Sequence, residues 1–458
     1  MGSAVTLGRD GFNRHDAPIS RSPSMERHTD YVMRKVEERG VKLVRLWFTD
    51  VHGQLKSLNI SPAELETAFE EGMLFDGSSI DGYSRQNEED VLARPDPNSF
   101  QLLSWTDSEE RGARMFCDIQ TADGDAFVGD TRQVLRRQLD RARDMGFTFF
   151  VAPEMEYFLF ESGDPSQPPK PLDQGSYFDL TTADVASSIR RRTLQALEAM
   201  GISVEYSFHE DSPSQHEIDL RYTDALTMAD NVMTFRLIVK EIAVEHGVHA
   251  TFMPKPLEGV QGSGMHTHMS LFRGDENAFH DGSDPFGLSV TARQFMAGVL
   301  RHAGETTAVT NQLVNSYKRL VSGFEAPVTV SWARTNRAAL VRVPKTKKGK
   351  DDAVRIEYRA PDPACNPYLA FAVLLAAGLD GIENQYELGP EASDDVGELE
   401  SLPRSLADAL DAMEASVLVK DVLGDHLFEW FLRNKRREFS DYKSQVTQFE
   451  LDRYFGNI

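Results

Sequence analysis

The most informative hydrophobic pattern in the chain lies at residues 148–160, where nearly every position is apolar or aromatic except Glu154 and Glu156. Side chains two residues apart point to the same face of a β-strand, so the pattern predicts a buried strand that directs both carboxylates to one side. Two uncompensated buried anions are costly, and a divalent cation between them is the simplest compensation. The alternative is an edge strand with two solvated glutamates, but the aromatic flanks argue against it.

Before this strand, alternating positions and turn residues predict a small α+β domain of roughly 90–100 residues, which is a usual domain size. Its predicted elements are a helix over 28–39, hairpin strands over 41–48 and 54–60, a helix that opens at 61–62, a polar, Gly-rich loop over 75–83, and strands over 99–105 and 113–119. Residues 1–27 are polar and lack the apolar segment of a secretory signal, so we expect a loose tail there.

After the central strand, helical and alternating stretches continue without regular βαβ units or a fixed repeat. The predicted helices cover 130–145, before the strand, and 183–200, 224–246, 289–310, 367–384 and much of the chain beyond 402. The predicted strands cover 203–210, 215–221, 251–256, 264–271, 340–344 and 354–360. Strands that alternate between hairpins and helical excursions favour an α+β fold with a largely antiparallel sheet.

Composition narrows the class of protein. The 458 residues suffice for two domains, and 40% hydrophobic with 26% charged residues is typical of a soluble globular protein. A net charge of −23 disfavours nonspecific nucleic-acid binding. The chain contains no run of roughly 18 apolar residues, so no membrane span is predicted. Only Cys117 and Cys365 are present, in unrelated contexts, which excludes a disulfide framework and fits a cytoplasmic location.

In three further stretches, polar or charged side chains again share one strand face or face each other across a hairpin. They align His266 with His268, place Glu210 opposite Glu217 across a tight hairpin, and align Arg355, Glu357 and Arg359. A histidine pair alone is more often structural, but four strands with inward carboxylates, imidazoles and guanidiniums form a different arrangement. The set exceeds the needs of one ion, and oxygen-rich ligation with one imidazole suits Mg²⁺ or Mn²⁺ better than Zn²⁺.

Two metal ions with several arginines point to phosphoryl chemistry, because the cations bridge phosphate oxygens while guanidinium groups neutralise developing charge. Further arginines follow at Arg319, Arg334, Arg337 and Arg342. A planar guanidinium group can grip a carboxylate or a phosphate with two hydrogen bonds. The chain has neither a G-x-x-x-x-G-K-[ST] loop nor a protein-kinase signature, so its nucleotide site is of another type.

From about residue 28 to its C-terminus, the chain resembles the bacterial type I glutamine synthetases. The motifs that carry the resemblance are Phe75-Asp-Gly-Ser-Ser-Ile80, Pro153-Glu-Met-Glu156, Phe252-Met-Pro-Lys-Pro256, Gly262-Ser-Gly-Met-His-Thr-His268, Asn315-Ser-Tyr-Lys-Arg-Leu320, Glu325-Ala-Pro327 and Asn366-Pro-Tyr-Leu369. The resemblance implies a small N-terminal β-grasp domain over 28–125 and a large catalytic domain over 130–458. It also implies an ATP-dependent ligation of ammonia to glutamate through γ-glutamyl phosphate, in a dodecamer of two stacked hexameric rings.

The same resemblance implies two metal sites of Mg²⁺ or Mn²⁺. One ion, which organises glutamate and ammonium, is held by Glu156, Glu210 and Glu217, and the other, on the ATP phosphates, by Glu154, His266 and Glu357. The residues implied in ATP binding and phosphate transfer are Glu205, His268, Ser270, Arg337, Arg342 and Arg355. The residues implied in substrate binding are Ser79, Tyr177, Gln261, Gly262, Arg319, Arg342 and Arg359.

Asp76 and Glu325 carry the remaining implied roles. Asp76 of a neighbouring subunit would bind and deprotonate ammonium beside Ser79, Tyr177 and Glu210, and Glu325 would lie on a flap that keeps water from the intermediate. From the residues alone, Asp76 reads as an ordinary aspartate of an Asp-Gly turn, and Glu325 as an ordinary loop residue.

Some positions depart from the family pattern. The family usually has Asn where this chain has Gln261, which predicts a slightly altered site for the glutamate backbone. The region that corresponds to an adenylylated tyrosine in some members, residues 392–402, contains no Tyr, and Tyr386 is a poorer match, so control by adenylylation is not expected. Arg85 resembles an arginine that mediates feedback inhibition in one subclass, and its alternative is a solvated loop arginine.

Two other functions remain open. Paralogues with this outline ligate glutamate to polyamines or other amines, but the ammonium set of Asp76, Ser79, Tyr177 and Glu210 is intact here and favours ammonia. An inactive structural or regulatory assembly would be marked by the loss of metal ligands, and all six are present.

Overall fold

A computed structural model of the chain describes residues 23–78, 80–82, 90–105, 111–180, 185–392, 399–456 and 458. The described chain forms two sheets, one of six strands in the N-terminal part and one of ten strands in the remainder. The predicted α+β fold, with a β-grasp domain and a large catalytic domain, is confirmed. The predicted boundaries 1–27, 28–125 and 130–458 stay predictions, and most of the predicted tail lies outside the described residues.

The N-terminal domain packs two helices against its sheet. The helices are α1 (Pro23–Arg39) and α2 (Leu65–Glu70), and the strands are β1 (Leu43–Thr49), β2 (Leu55–Ile60), β3 (Met73–Asp76), β4 (Asp90–Pro95), β5 (Gln101–Leu102) and β6 (Gly112–Thr121). The strand order is β2-β1-β6-β4-β3, with β5 beside β6. The β1–β6 pair is parallel, and the predicted β1–β2 hairpin is antiparallel.

Two local predictions in this domain are wrong. The predicted loop over 75–83 begins as strand β3, because the Phe75 ring packs on Phe48 with ring centroids 5.0 Å apart and the strand pairs antiparallel with β4. The strand predicted over 99–105 shrinks to β5. A short 3₁₀ turn at Pro97–Ser99 precedes it, since proline cannot donate to a sheet ladder.

The larger domain is built on the central strand. Its strands are β7 (Thr148–Phe160), β8 (Val204–His209), β9 (Gln215–Leu220), β10 (Thr223–Asp224), β11 (His249–Thr251), β12 (Thr267–Arg273), β13 (Glu276–Asn277), β14 (Trp332–Ala333), β15 (Val341–Arg342) and β16 (Ile356–Tyr358). The main strand order is β14-β15-β16-β12-β7-β9-β8. All of its pairs are antiparallel except β14 with β15, as expected for a mainly antiparallel sheet.

Helices surround this sheet. They are α3 (Thr131–Asp144), α4 (Val185–Ala199), α5 (Ala225–Glu245), α6 (Val290–Arg301), α7 (Ala303–Thr310), α8 (Ser316–Arg319), α9 (Pro367–Glu383), α10 (Leu406–Glu414), α11 (Val417–Lys443) and α12 (Gln448–Glu450). The apolar helix α9 is buried nearly all round and lies at the centre of the helical layer. No helix among the described residues is both long and apolar enough to span a bilayer.

One strand prediction fails in this domain. The strand predicted over 251–256 stops at Thr251, since Pro254 and Pro256 lack the N–H groups that a ladder needs. The helices predicted over 289–310 are present as α6 and α7, which meet at His302, whose ring nitrogens lie 3.1 Å from Glu305 Oε2 and 3.0 Å from Asp380 Oδ2.

A buried ionic network joins the two domains. Arg132 on α3 contacts Asp96 Oδ2 at 2.9 Å and Asp118 Oδ1 at 2.5 Å in the N-terminal domain. It also contacts Asp230 Oδ2 on α5 at 2.9 Å, and the Tyr368 hydroxyl on α9 donates to the other Asp230 oxygen at 2.6 Å. Three acids converge on one buried guanidinium group, so Arg132 links the N-terminal sheet to the catalytic domain, together with Arg136, which contacts Asp96 and Asp118 as well.

We expect Arg132→Met to lower the thermal unfolding temperature strongly, because loss of one partner from a buried ion pair costs roughly 3–5 kcal/mol. The matched control is Arg143→Met on the same helix, whose ion pair with Asp140 is solvent-exposed and contributes little. Differential scanning calorimetry of both variants measures the effect. Similar small shifts for the two variants would contradict the importance of the network.

Candidate active site

A cavity of about 290 Å³ opens beside the strands β7, β8 and β9. It gathers most of the residues that the sequence predicts for metal and substrate binding. The predicted residues that line it are Glu154, Glu156, Tyr177, Glu210, Glu217, Gln261, Gly262, His266, Arg319, Glu325, Arg337, Arg342 and Arg359. Glu154 and Arg359, which are 205 positions apart in the chain, therefore line the same cavity.

A second cavity adjoins the first along the same face of the central strand, since Phe150, Ala152 and Glu154 line the second and Glu154 and Glu156 line the first. It is lined by the predicted nucleotide residues Glu205, His268, Ser270 and Arg355. Glu154, Tyr206 and Asp219 line both cavities. The Glu154 carboxylate thus lies at the boundary between the predicted substrate side and the predicted nucleotide side.

Strand register explains why these side chains meet. In the β7–β9 pair, Glu154 lies opposite Asp219 and Glu156 lies opposite Glu217. On the other side of β7, the His266 carbonyl accepts the Glu154 N–H at 2.9 Å, which continues the pairing with β12. Antiparallel pairing therefore brings the acidic positions of two strands face to face.

Glu154 is held between two imidazoles. His266 Nδ1 lies 2.9 Å from Glu154 Oε2, and His268 Nε2 lies 2.7 Å from Glu154 Oε1. Burial alone would raise the pKa of Glu154, but the two histidines outweigh it and bring the pKa well below its usual range. Burial and the charge of Arg359 lower the pKa of His266 to about 4, so this ring is neutral at pH 7 and able to ligate a metal.

The neighbouring carboxyl groups are far less compensated by protein groups. Glu156 Oε2 accepts hydrogen bonds from Gly264 N at 3.0 Å and Gln215 Nε2 at 2.8 Å, yet burial and the charge of Glu210 raise its pKa to about 8. Burial and the charges of Glu154 and Asp219 raise the pKa of Glu217 well above its usual value. Burial also raises the pKa of Glu210, although Glu217 lies within hydrogen-bonding range and acts in the opposite direction.

These donors fit divalent cations. Glu154, His266 and Glu357 present ligand atoms within 4.8 Å of one another, and so do Glu154, Glu217 and Asp219. Carboxylates with one neutral imidazole suit hard cations such as Mg²⁺ or Mn²⁺, which would relieve the repulsion that raises the pKa values. Sequence reasoning missed Asp219. Its signal was its position two residues after Glu217 on β9, which places it on the same strand face.

Arginine side chains line the opposite part of the site. Arg342 Nε lies 2.5 Å from Glu357 Oε2, and Arg359 binds the other oxygen of the same carboxylate. The buried Arg319 donates to the Ala360 carbonyl at 2.7 Å and contacts His266 Nε2 at 3.4 Å. Arg337, which is half-exposed, lies 3.5 Å from Glu325. The site therefore combines buried carboxylates with arginines, of which Arg319 and Arg359 are buried as well.

Asp76 lies apart from these groups in the described part of the chain. Asp76 ends strand β3, is exposed, and accepts the Ser78 N–H at 2.8 Å; within the described part of this chain it lines neither cavity. Ser79 and Arg85 fall outside the described residues. The contribution of Asp76 from a neighbouring subunit stays a prediction.

Comparisons with known proteins agree with this geometry. Residues 40–122 match the family model of the glutamine synthetase β-grasp domain, and residues 128–454 match that of the glutamine synthetase catalytic domain. Glutamine synthetase of Mycolicibacterium smegmatis is 56% identical over 94% of this chain and 100% of its own length, and that of Thermotoga maritima is 47% identical over 92% and 98%. A solved GmaS/ADP complex covers 93% of this chain and 99% of its own, with 34% identity and a TM-score of 0.85. The chain belongs to the glutamine synthetase family.

Proposed function

We propose that the chain ligates ammonia to the γ-carboxylate of L-glutamate at the expense of ATP, through γ-glutamyl phosphate, to give glutamine, ADP and phosphate. The observation that carries the proposal is the junction at Glu154, where a cavity of carboxylates and arginines meets the cavity of Glu205, His268, Ser270 and Arg355. A carboxylate is a poor electrophile until its oxygen is converted to a leaving group, so the two substrates must be adjacent for phosphoryl transfer.

Two cation positions are proposed from the family resemblance, and the clustering of Glu154, His266 and Glu357 supports the second of them. Glu156, Glu210 and Glu217 would hold the ion on the glutamate side, and Glu154, His266 and Glu357 would hold the ion on the ATP side. When bound, these ions supply charge neutralisation of the phosphates and orientation of the reacting oxygens. Their preferred identity is Mg²⁺ or Mn²⁺, because the ligands are mainly carboxylate oxygens.

The arginines orient and neutralise the anionic substrates. Arg359 and Gly262, beside Gln261, are suited to the amino-acid end of glutamate, and Arg319 supports the same wall of the cavity. Arg337 and Arg342, with Arg355 in the second cavity, would contact phosphate oxygens as negative charge shifts during transfer.

The ammonium pocket is formed by Glu210 and Tyr177, with Asp76 and Ser79 supplied by a neighbouring subunit. An acidic group binds ammonium as a cation and then accepts its proton, which creates the nucleophile. A monomer would lack half of this pocket. We therefore propose that the active form is an oligomer, a dodecamer of two hexameric rings, located in the cytoplasm.

The first test is the choice of nucleophile, since the resemblance leaves a ligase for polyamines or other amines open as the alternative. Phosphate release with ATP, Mg²⁺ and glutamate is compared for ammonium, putrescine, spermidine, ethanolamine and methylamine, and each amide is identified by mass. We expect efficient turnover with ammonium alone. Preferential turnover of an organic amine would replace ammonia by that amine in the proposal.

Glu325→Ala should uncouple phosphate release from amide formation. Glu325 lines the cavity, and removal of its side chain should admit water to the acyl phosphate, which then hydrolyses. The ratio of phosphate to glutamine should rise from near one to several-fold higher. The control is Glu391→Ala, which breaks a comparable pair, Arg334–Glu391, at 2.8 Å. An unchanged ratio of phosphate to glutamine in Glu325→Ala would contradict the proposed role of Glu325 in excluding water.

Mg²⁺ should stabilise the protein more at pH 8 than at pH 6. Burial and neighbouring charges raise the pKa of Glu156 from its ordinary 4.5 to about 8 and that of Asp219 from its ordinary 3.8 to about 7. The metal-free folded state therefore retains protons that the unfolded state has lost, and its stability falls as pH rises from the ordinary values to the raised ones. Mg²⁺ replaces those protons, and its binding becomes more favourable with rising pH. Thermal melts with Mg²⁺ or EDTA at both pH values measure the difference.

The control for this melt is Glu305→Gln, which alters a carboxylate paired with His302 away from the cavity. It should retain the full Mg²⁺ response, whereas Glu156→Gln should lose most of it. An equal response to Mg²⁺ at pH 6 and pH 8 would contradict the origin of the raised pKa values.

A further inference from the structure

We propose that His209, which is hydrogen-bonded to Asp173, is a positioning residue. It keeps Glu210 and Tyr177, on opposite sides of the proposed nucleophile pocket, in a fixed position relative to each other. The inference rests on the proposed function of that pocket, and it assigns a task to a buried side chain that lines neither cavity in the described part of the chain. His209 is 2% exposed and ends strand β8 immediately before Glu210.

Both ring nitrogens of His209 face acceptors. Nδ1 lies 2.6 Å from the Glu210 carbonyl oxygen, and Nε2 lies 3.0 Å from Asp173 Oδ1. A carbonyl and a carboxylate offer only lone pairs, so the ring donates from both sides. The imidazole therefore links the backbone of Glu210 directly to the Asp173 carboxylate.

Asp173 is the centre of a connection between two chain segments, 172–178 with Tyr177 and 210–214 with Glu210. Its Oδ1 accepts from Gly175 N at 3.0 Å and from Ser214 N at 2.9 Å, in addition to His209. The Ser214 hydroxyl oxygen accepts from the backbone N–H groups of Leu172 and Asp173 at 2.6 and 3.0 Å. The two segments are thus joined by side-chain hydrogen bonds rather than by a strand pair.

The connection continues to the pocket wall itself. The Phe178 N–H donates to the His209 carbonyl at 3.0 Å, which secures the residue after Tyr177 to the residue before Glu210. Phe178 has a φ of +62°, a conformation that costs a non-glycine residue free energy unless surrounding contacts impose it. A Cβ at position 175 would lie 2.5 Å from His209 Nε2, so the segment approaches the ring as closely as only glycine permits.

A metal centre is the rival explanation, because Asp173, His209 and His216 present ligand atoms within 4.8 Å of one another. Arg190 Nη1 lies 2.7 Å from His216 Nδ1, and a guanidinium group can only donate. The neutral His216 ring then carries its proton on Nε2, which has no lone pair for a metal. The hydrogen bonds therefore favour a positioning role over ligation.

The test is steady-state kinetics of the full-length assembled protein with saturating Mg²⁺. His209→Ala should raise the KM for ammonium roughly 10-fold or more, as is typical when a side chain that orients a ligand is removed. The KM values for ATP and glutamate should change less than about twofold at saturating Mg²⁺, because most of their proposed binding groups, such as Arg355 and Arg359, lie on other elements. Added imidazole should restore part of the loss by occupying the vacated space.

Three further variants and one control separate positioning from general destabilisation. Asp173→Asn keeps the Oδ1 acceptor and should remain close to wild type, whereas Asp173→Ala should show the His209→Ala defect, and the double alanine variant should be no worse than either single one. His302→Ala is the matched control, since His302 also faces acceptors with both nitrogens but lies outside both cavities. It should lower the melting temperature without changing any KM.

An unchanged ammonium KM in His209→Ala, with only a lower melting temperature, would overturn the proposal. So would a bound transition metal, measured by mass spectrometry, that His209→Ala loses and Glu154→Gln retains. If the wild type prefers an organic amine, the same series is run with that amine. Failure of the proposed nucleophile is thereby distinguished from failure of the positioning role.

Discussion

The structure depends on one electrostatic constraint, the convergence of acidic side chains around the central strand β7. Register places Glu154 opposite Asp219 and Glu156 opposite Glu217, in a site where solvent does little to screen them. Protein groups compensate Glu154 through His266 and His268, but they leave Glu156, Glu210 and Glu217 with raised pKa values. Such an arrangement costs stability in the absence of cations and becomes favourable when cations bind.

The rest of the fold keeps these groups in place. Strands β12 and β9 flank β7 and supply imidazoles on one side and carboxylates on the other. Arginines on β15 and beside β16 hold Glu357 from both of its oxygens. The N-terminal sheet is fixed to this domain through Arg132, which leaves strand β3, with Asp76, exposed at a sheet edge. Most of the candidate metal ligands therefore lie on or directly beside the strands of one sheet.

Sequence reasoning predicted the parts of the site that depend on short-range alternation. The pairs Glu154/Glu156 and His266/His268 each lie two residues apart, so strand geometry alone places each pair on one face. The family resemblance supplied the distant members, such as Arg319 and Glu205, because nothing in local spacing shows which strands become neighbours. Chain order likewise gives no indication that Asp173 contacts His209 across 36 residues.

Misplaced elements have physical causes as well. Strand β3 was missed because Asp-Gly-Ser-Ser reads as a turn, while the pairing with β4 and the packing of Phe75 on Phe48 arise only in the folded domain. Asp219 was missed because only Glu210 and Glu217, the acids on either side of the turn at 211–214, were expected to face each other across the hairpin. The Arg132 network was not predicted, since its three acids lie in separate regions of the sequence.

The measurement that tests the central claim most directly is a Mn²⁺ titration of the metal-free protein followed by electron paramagnetic resonance. The account predicts about two bound ions per chain, close enough for their spins to couple, because Glu154 and Glu156, which belong to the two proposed ligand sets, lie two residues apart on the same face of β7. It also predicts that Glu154→Gln removes the coupling, whereas Glu305→Gln preserves it. Absence of tight Mn²⁺ binding, or identical spectra for the wild type and Glu154→Gln, would contradict the claim that this acidic cluster is built to hold cations.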